Sequence, residues 1–164
     1  MVNAYSFAAT PFDDAGVVEL LTTYRNEVSE RETDAGRSLD MSMMTGTAAD
    51  ATADQMVSPN GVFLGVFRDG VLIGCGGVRA TGDQACEIKR MFVVASARGG
   101  GIARALLSRL EAAGVGLGCR MARLDTRTVL TEARALYLSA GYVEVDRYND
   151  NPFAQHWFEK PLDR

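Results

Sequence analysis

Three consecutive glycines stand between an apolar run and a helix-like segment, and this arrangement constrains the fold more than any other feature. Gly99, Gly100 and Gly101 follow an apolar run that ends at Val94, and residues 102–113 after them repeat apolar side chains at helical spacing. Glycines let the backbone approach a neighbouring group closely, and the free N–H groups of a helix start carry partial positive charge. The sequence therefore predicts a strand, a tight turn and a helix whose first turn is suited to bind an anion.

Two common phosphate-binding motifs do not match this turn. A Walker P-loop needs Lys-Ser/Thr after its glycines, whereas Ile102-Ala103-Arg104 follows here. The glycine spacing of a dinucleotide-binding fingerprint is also missing. On glycine content alone, the segment 99–101 is equally compatible with a flexible turn that ends a strand, so other features must decide its role.

The remaining hydrophobic pattern predicts a mixed α/β fold. Apolar residues at intervals of three and four predict a helix over 17–31, followed by a polar loop over 32–47 and a short helix over 48–57. Later segments alternate between strand and helix periodicity. The predicted strands cover 62–67, 71–78, 85–94, 121–125, 142–146 and 155–160, and the later helices cover 102–113 and 131–140. This order is typical of a mixed-sheet α/β domain, which we expect to span residues 1–164 as a single unit.

Charge and composition exclude several classes of protein. The net charge of −4 speaks against a nucleic-acid-binding protein, which needs a basic surface. The three cysteines lack Cys-x-x-Cys spacing and His156 is the single histidine, so neither a disulfide framework nor a metal site is predicted. No apolar run reaches the roughly 20 residues that cross a bilayer, and the N-terminus does not resemble a signal peptide. We therefore expect a cytoplasmic protein with no nucleic-acid or membrane partner.

The charges are distributed unevenly along the chain. Residues 1–57 carry ten acids and three arginines, whereas residues 86–134 carry nine basic residues and four acids. The basic stretch surrounds the glycine run and is suited to a modest anion. The same basic residues would also be expected on solvent-exposed helix faces, so the charge pattern alone does not identify a ligand.

Two motifs in the second half of the chain resemble the GNAT N-acetyltransferase family. Arg98-x-x-Gly101-x-Ala103 resembles that family's acetyl-CoA motif, Arg/Gln-x-x-Gly-x-Gly/Ala. Ala133-x-x-Leu136-Tyr137-x-x-x-Gly141-Tyr142 resembles its downstream helix and strand signature. The two motifs occur in the family's order, and the resemblance extends over about residues 61–161. It implies a central, mostly antiparallel sheet that is splayed at the cofactor site and flanked by helices.

The resemblance also implies where acetyl-CoA binds. The main chain at residues 91–93 would pair with the pantetheine arm, and N–H groups in 99–104 would hold the pyrophosphate. The implied cofactor-binding residues are Met91, Phe92, Val93, Arg98, Gly99, Gly100, Gly101, Ile102, Ala103 and Arg104. Arg98 and Arg104 are expected to contribute most of the positive charge. Leu130 stands where many relatives have Asn or Gln, so that polar contact is expected to be absent or supplied elsewhere.

Glu87 is the candidate general base. An alkylamine is mostly protonated at pH 7 and must lose a proton before it attacks a thioester. Strand alternation predicts that Glu87, Lys89, Met91 and Val93 share one face, which would open on a cleft. The alternative is that Glu87 forms a structural ion pair with Lys89 or Arg90.

Tyr137 is the candidate general acid. Its match to the family tyrosine implies that it protonates the departing coenzyme A thiolate. Its position on the apolar face of the helix over 131–140 also fits plain packing, with a hydroxyl satisfied at the edge of the core.

These features predict an N-acetyltransferase that acts on a primary amine of a small molecule by direct transfer in a ternary complex. The alternatives are a coenzyme A-binding regulatory or sensing domain without turnover, and transfer of a different acyl group; a homodimer is left open.

The acidic residues near the 32–47 loop either attract a cationic amine or remain solvated, and nearby methionines either line a pocket or pack. These residues are Glu27, Glu30, Glu32, Asp34 and Asp40, with Met41, Met43 and Met44.

Overall fold

One seven-stranded sheet organises residues 4–38 and 53–163, the parts of the chain that the computed structural model describes. Its strands are β1 (Ser6–Ala9), β2 (Gly61–Arg68), β3 (Val71–Gly82), β4 (Ala85–Val93), β5 (Met121–Thr126), β6 (Val143–Val145) and β7 (His156–Pro161). They lie in the order β1-β2-β3-β4-β5-β7-β6, and all neighbours pair antiparallel except the parallel pair β4 and β5. The predicted mixed α/β fold with a mostly antiparallel sheet is confirmed.

Three α-helices flank the sheet within the described residues: α1 (Ala15–Asp34), α2 (Ile102–Gly116) and α3 (Thr131–Ser139). The Asp14 carboxylate caps α1 by accepting hydrogen bonds from the backbone N–H groups of Gly16 and Val17. This helix includes residues 32–34, which the sequence had suggested were part of a loop. In the predicted helix over 48–57, the described part contains a 3₁₀ turn at Ala53–Met56. Asp40, Met41, Met43 and Met44 lie outside the described residues.

The core lies on both faces of the sheet. On one face, α2 buries Leu106, Leu107 and Leu110 against the strands. On the opposite face, α1 buries Val17, Leu20 and Leu21 together with Phe92 of β4. No helix in the described parts of the chain is both long and apolar enough to span a membrane.

A β-bulge in β4 shifts the alternation of its side chains, so that residues before and after the bulge follow opposite patterns on the two faces of the sheet. Gly77 of β3 pairs with Lys89 and Cys75 pairs with Phe92, so the single residue Gly76 faces two residues of β4, Arg90 and Met91. Arg90 has a positive φ of 58°, which is uncommon for a residue with a side chain.

The bulge makes the predicted face assignment of β4 wrong. Ile88, Met91 and Val93 pack with the α2 core, whereas Phe92 packs with α1. Glu87 and Lys89 therefore lie on the face opposite to Met91 and Val93, because the extra residue at the bulge shifts the alternation by one.

Gly76 allows α2 to approach the sheet closely. A Cβ atom at this position would lie 2.9 Å from Leu110 Cδ1, 3.1 Å from Met91 Cγ and 3.3 Å from Leu106 Cδ2. The absence of a side chain at Gly76 therefore leaves room for Leu106 and Leu110 of α2 to pack closely on β3.

Substituting Gly76→Val is expected to lower the free energy of unfolding by about 1–3 kcal/mol, because added methyl groups overpack the α2 interface. Urea unfolding measures this change. Ala80→Val on the exposed end of the same strand is the matched control and should change stability little. Equal stability of both variants and the wild type would contradict close packing at Gly76.

Candidate functional site

The sheet opens between β4 and β5. The two strands pair only at Ala85↔Met121, Cys86↔Ala122 and Glu87↔Arg123, and beyond this point β5 continues its pairing with β7 alone. The edge of β4 from Ile88 to Val93 therefore faces a gap. Two cavities meet at this gap and share the residues Tyr24, Met91, Leu130, Ala133 and Tyr137.

The larger cavity has a volume of about 360 Å³ and contains nearly all of the predicted cofactor-binding residues. Its wall is formed by the end of β4, the glycine turn, the first turn of α2, and parts of α1 and α3. Of the predicted set, Met91, Phe92, Val93, Arg98, Gly99, Gly101, Ile102, Ala103 and Arg104 line it. Gly100 is exposed beside it in the turn. We call this the cofactor cavity.

The first turn of α2 presents backbone N–H groups to the cofactor cavity. The first hydrogen bond of the helix runs from the Ala105 N–H to the Gly101 carbonyl, so the N–H groups of residues 102–104 have no partner within the helix. Gly99 and Gly101 both have positive φ, 83° and 77°. This backbone geometry and the helix dipole suit a negatively charged group such as a phosphate.

Arg98 holds the glycine turn against β4 and α1. Its Nε donates a 2.9 Å hydrogen bond to the Val93 carbonyl, and its two terminal nitrogens donate to the two carboxylate oxygens of Glu27 at 2.9 and 2.8 Å. The hydrogen bond from Arg98 holds the pKa of Glu27 below its ordinary value. The Glu27 carboxylate compensates the charge of Arg98, and these contacts make Arg98 part of the cavity wall. Arg104, at the start of α2, is a second arginine of the same wall and is exposed.

Two of the acidic residues of α1, Glu27 and Glu32, form ion pairs, whereas Glu30 and Asp34 are exposed. Arg31 bridges Glu27 of α1 and Glu132 of α3 at 2.8 and 2.7 Å. Glu32 is fully buried and accepts hydrogen bonds from Arg37 at 2.6 Å and Arg127 at 2.7 Å. Neither predicted role of Glu32 is therefore correct, because its charge is compensated inside the protein.

The smaller cavity has a volume of about 120 Å³ and a more polar wall. It lies between β4, β5, α3 and the loop that precedes β7. Its lining includes the charged side chains of Lys89, Arg90, Asp125 and Arg127, together with Tyr24, Asn151 and Phe153. We call this the acceptor cavity.

Tyr137 lies where the two cavities meet. Its side chain is buried against the rings of Tyr142 and Phe158, at centroid distances of 6.0 and 5.9 Å. Burial raises the pKa of Tyr137, and nearby Tyr24 and Asp125 raise it further. The phenol is therefore protonated at neutral pH.

Glu87 is buried and held by three donors. Its carboxylate accepts hydrogen bonds from Arg79 at 2.8 Å, from Lys89 at 3.2 Å and from the Asn149 side chain at 3.2 Å. It is not among the residues that line either cavity within the described chain. These contacts favour the structural ion-pair interpretation of Glu87 over the general-base interpretation.

Several residues of the acceptor cavity were not identified from the sequence as functional candidates. Tyr24 occupies an apolar-stripe position of α1 that predicts packing alone. Asn151, from the segment before β7, donates to one oxygen of Asp125 at 3.0 Å, and Asn149 donates to the other at 2.8 Å. Only the contacts of the folded segment reveal these residues, since its sequence carries no recognisable motif.

Comparison with known proteins decides the family. The model of the acetyltransferase (GNAT) family matches residues 23–142. This chain belongs to the GNAT family. The family uses acetyl-CoA, and the chain is an acetyl-CoA-dependent acyltransferase. The open edge of β4 and the N–H groups at the start of α2 fit the extended arm and the phosphates of that molecule.

Individual relatives agree with this assignment. An IAA acetyltransferase from Azospirillum brasilense is 33% identical over 111 residues, which are 65% of this chain and 72% of the relative. A GNAT acetyltransferase from Staphylococcus aureus has a similar fold, with a TM-score of 0.74, 14% identity and coverage of 98% of this chain and 100% of the other. The PaiA N-acetyltransferase from Thermoplasma acidophilum, solved in complex with coenzyme A, has a TM-score of 0.70 and 19% identity, covering 96% and 99% of the two chains.

Substituting Glu27→Gln is expected to lower the free energy of unfolding by about 1 kcal/mol at pH 7, because it removes the charge that pairs with Arg98 and Arg31. A carboxylate whose pKa is lowered by folding adds stability above its unfolded pKa, and this contribution is lost as the pH falls through the folded pKa. The difference from the wild type should therefore shrink below the ordinary pKa of 4.5.

Urea unfolding at pH 7 and at acidic pH measures this dependence. Glu30→Gln, which changes an exposed glutamate on the same helix, is the matched control and should have no effect at either pH. A Glu27→Gln difference that stays constant with pH would contradict the ion pair with Arg98.

Proposed function

We propose that this acyltransferase moves the acetyl group of acetyl-CoA to a primary amine of a small molecule by direct transfer in a ternary complex. The observation that carries the proposal is the meeting of the two cavities at Tyr137, between β4 and β5. An extended thioester in one cavity and an amine in the other would bring their reacting atoms together there. We also propose that residues 1–164 act as one catalytic domain.

The main chain and α2 would bind and orient the cosubstrate. The free edge of β4 at residues 91–93 offers hydrogen-bonding groups to an extended arm, and the N–H groups of residues 102–104 offer donors to its phosphates. Hydrogen bonds to charged groups contribute roughly 1.5–3 kcal/mol each, so this short segment can supply much of the binding energy. Acetyl-CoA supplies the acetyl group as a thioester.

Tyr137 would act as the general acid. As the amine nitrogen bonds to the carbonyl carbon and the carbon–sulfur bond breaks, the Tyr137 hydroxyl gives its proton to the leaving sulfur. The proton released by the amine passes to water, and the tyrosine is reprotonated from solvent. The phenol is protonated at neutral pH, so its proton is present at the junction of the cavities when the thiolate develops.

The cysteines support transfer without a covalent enzyme intermediate. Cys75, Cys86 and Cys119 are buried and are not among the described residues that line either cavity. Burial raises the pKa values of Cys75 and Cys86 to about 12. Since the thiolate is the nucleophilic form of cysteine, these buried thiols are unsuited to accept the acetyl group.

Tyr137→Phe is expected to lower kcat for acetylation by about 10²-fold or more, because the variant lacks the acid that protonates the leaving group. The KM for acetyl-CoA should change much less. Release of the free thiol with a panel of small amines measures both parameters, and mass spectrometry of the product verifies an N-acetyl amide.

Tyr142→Phe is the matched control, since Tyr142 is also buried and packs against Tyr137 but is not among the described residues that line the cavities. It should keep most of the activity. Equal kcat values for Tyr137→Phe and the wild type would remove Tyr137 from the mechanism, and the absence of any acetylated amine would overturn the proposed function.

A further inference from the structure

Asp125 supplies a carboxylate to the wall of the acceptor cavity. The pairing of β4 with β5 ends at Glu87↔Arg123, so Asp125 lies on the part of β5 that borders the gap. Burial raises the pKa values of Tyr24 and Tyr137, which line both cavities, and the negative charge of Asp125 raises both further. The carboxylate therefore acts close to the junction where the two substrates would meet.

Two amide side chains fix the orientation of this carboxylate. Asn149 donates a hydrogen bond to Asp125 Oδ2 at 2.8 Å, and Asn151 donates to Oδ1 at 3.0 Å. Both donors are neutral, so they hold the carboxylate in place without removing its charge. An ionised carboxylate can accept about four hydrogen bonds, which leaves acceptor capacity for a ligand.

The segment between β6 and β7 determines which way the two amides face. The indole N–H of Trp157 donates to Asn149 Oδ1 at 2.9 Å, and the backbone N–H of Phe153 donates to Asn151 Oδ1 at 3.0 Å. Because these two groups are donors only, each amide oxygen faces its donor and each amide NH₂ group faces Asp125. The position of the carboxylate is thus set before a ligand binds, which lowers the entropic cost of binding.

Cationic side chains of the same cavity have contacts of their own. Lys89 donates to Glu87 at 3.2 Å, and Arg127 donates to Glu32 and to the Phe153 carbonyl, each at 2.7 Å. An amine needs a hydrogen-bond acceptor at contact distance, and this requirement is local, whatever other charges surround the cavity.

We propose that Asp125 binds the amine of the acceptor and directs its nitrogen toward the thioester carbon. This inference rests on the proposed function and specifies where the amine is held. A charge-assisted hydrogen bond from the ammonium group to the carboxylate would bind the acceptor. When the ammonium loses a proton to water, one of the two remaining N–H groups would still donate to Asp125, so that the lone pair can face the thioester.

This contact is expected to act on binding more than on the chemical step. A nearby carboxylate favours the protonated form of an amine, so Asp125 would hold the acceptor without making it more nucleophilic. Loss of the carboxylate should therefore raise the KM for the amine more than it lowers kcat. Amines that are cationic at neutral pH should depend on Asp125 more than amines that are neutral.

Two amines of similar size but different charge test this proposal. Cyclohexylamine is an alkylamine and is protonated at pH 7, whereas aniline is an arylamine and is neutral. Asp125→Asn should raise the KM for cyclohexylamine by about tenfold or more, because it removes a hydrogen bond to a charged group, and should change kcat less. The KM for aniline should change little. Inhibition constants against the best alkylamine of the panel replace KM for an amine that binds without being acetylated.

Further variants separate the proposed contact from a structural effect. Asp125→Glu keeps the charge and should retain part of the affinity for cyclohexylamine, and Asp125→Ser replaces Asp125→Asn if that variant is unstable. Asp146→Asn is the matched control, because Asp146 is exposed in the same β6–β7 segment and is not among the described residues that line either cavity. It should leave all constants unchanged. Thermal stabilisation by acetyl-CoA verifies that each variant is folded and binds its cosubstrate.

The outcomes separate the two proposals. If Asp125→Asn leaves the constants for cyclohexylamine unchanged, or weakens cyclohexylamine and aniline equally, binding of the amine by Asp125 is excluded and the N-acetyltransferase function stands. If no amine is acetylated by a protein that still binds acetyl-CoA, both proposals are overturned.

Discussion

The loss of pairing between β4 and β5 after Glu87 and Arg123 determines most of the functional architecture. Three residue pairs join the strands at one end, and each strand then continues beside a different neighbour. A free strand edge has unpaired backbone groups, which are costly to bury and available to a ligand. The gap therefore creates the cofactor and acceptor cavities together and places Tyr137 at their junction.

Ion pairs of α1 connect the elements that surround this gap. Glu27 of α1 binds Arg98 at the glycine turn, and Arg31 joins α1 to Glu132 of α3. Buried Glu32 connects the same helix to Arg127, just after β5. Two acids of the N-terminal part, Glu27 and Glu32, thus pair with arginines of the basic middle of the chain. We infer that much of the uneven charge pattern supports the structure.

The elements around the cofactor cavity could be predicted from the sequence because each depends on residues that are close together in the chain. The run from Met91 to Arg104 contains an apolar strand, positive-φ glycines and an amphipathic helix, each recognisable from short-range physics. The β4 bulge was not predictable, since one extra residue is fixed by pairing with Gly76 on another strand. That single shift made the predicted faces of Glu87 and Met91 wrong. The partners of Glu32 and Asp125 are likewise distant in sequence, so only the fold reveals them.

Amide hydrogen exchange with and without coenzyme A tests the central claim most directly, namely that the gap and the start of α2 form the cofactor site. The account predicts slower exchange on binding at residues 91–93 and 99–104, with little change in the strand β6 at the far edge of the sheet. Binding of coenzyme A with unchanged exchange in both segments, or with protection confined to other parts of the chain, would contradict it.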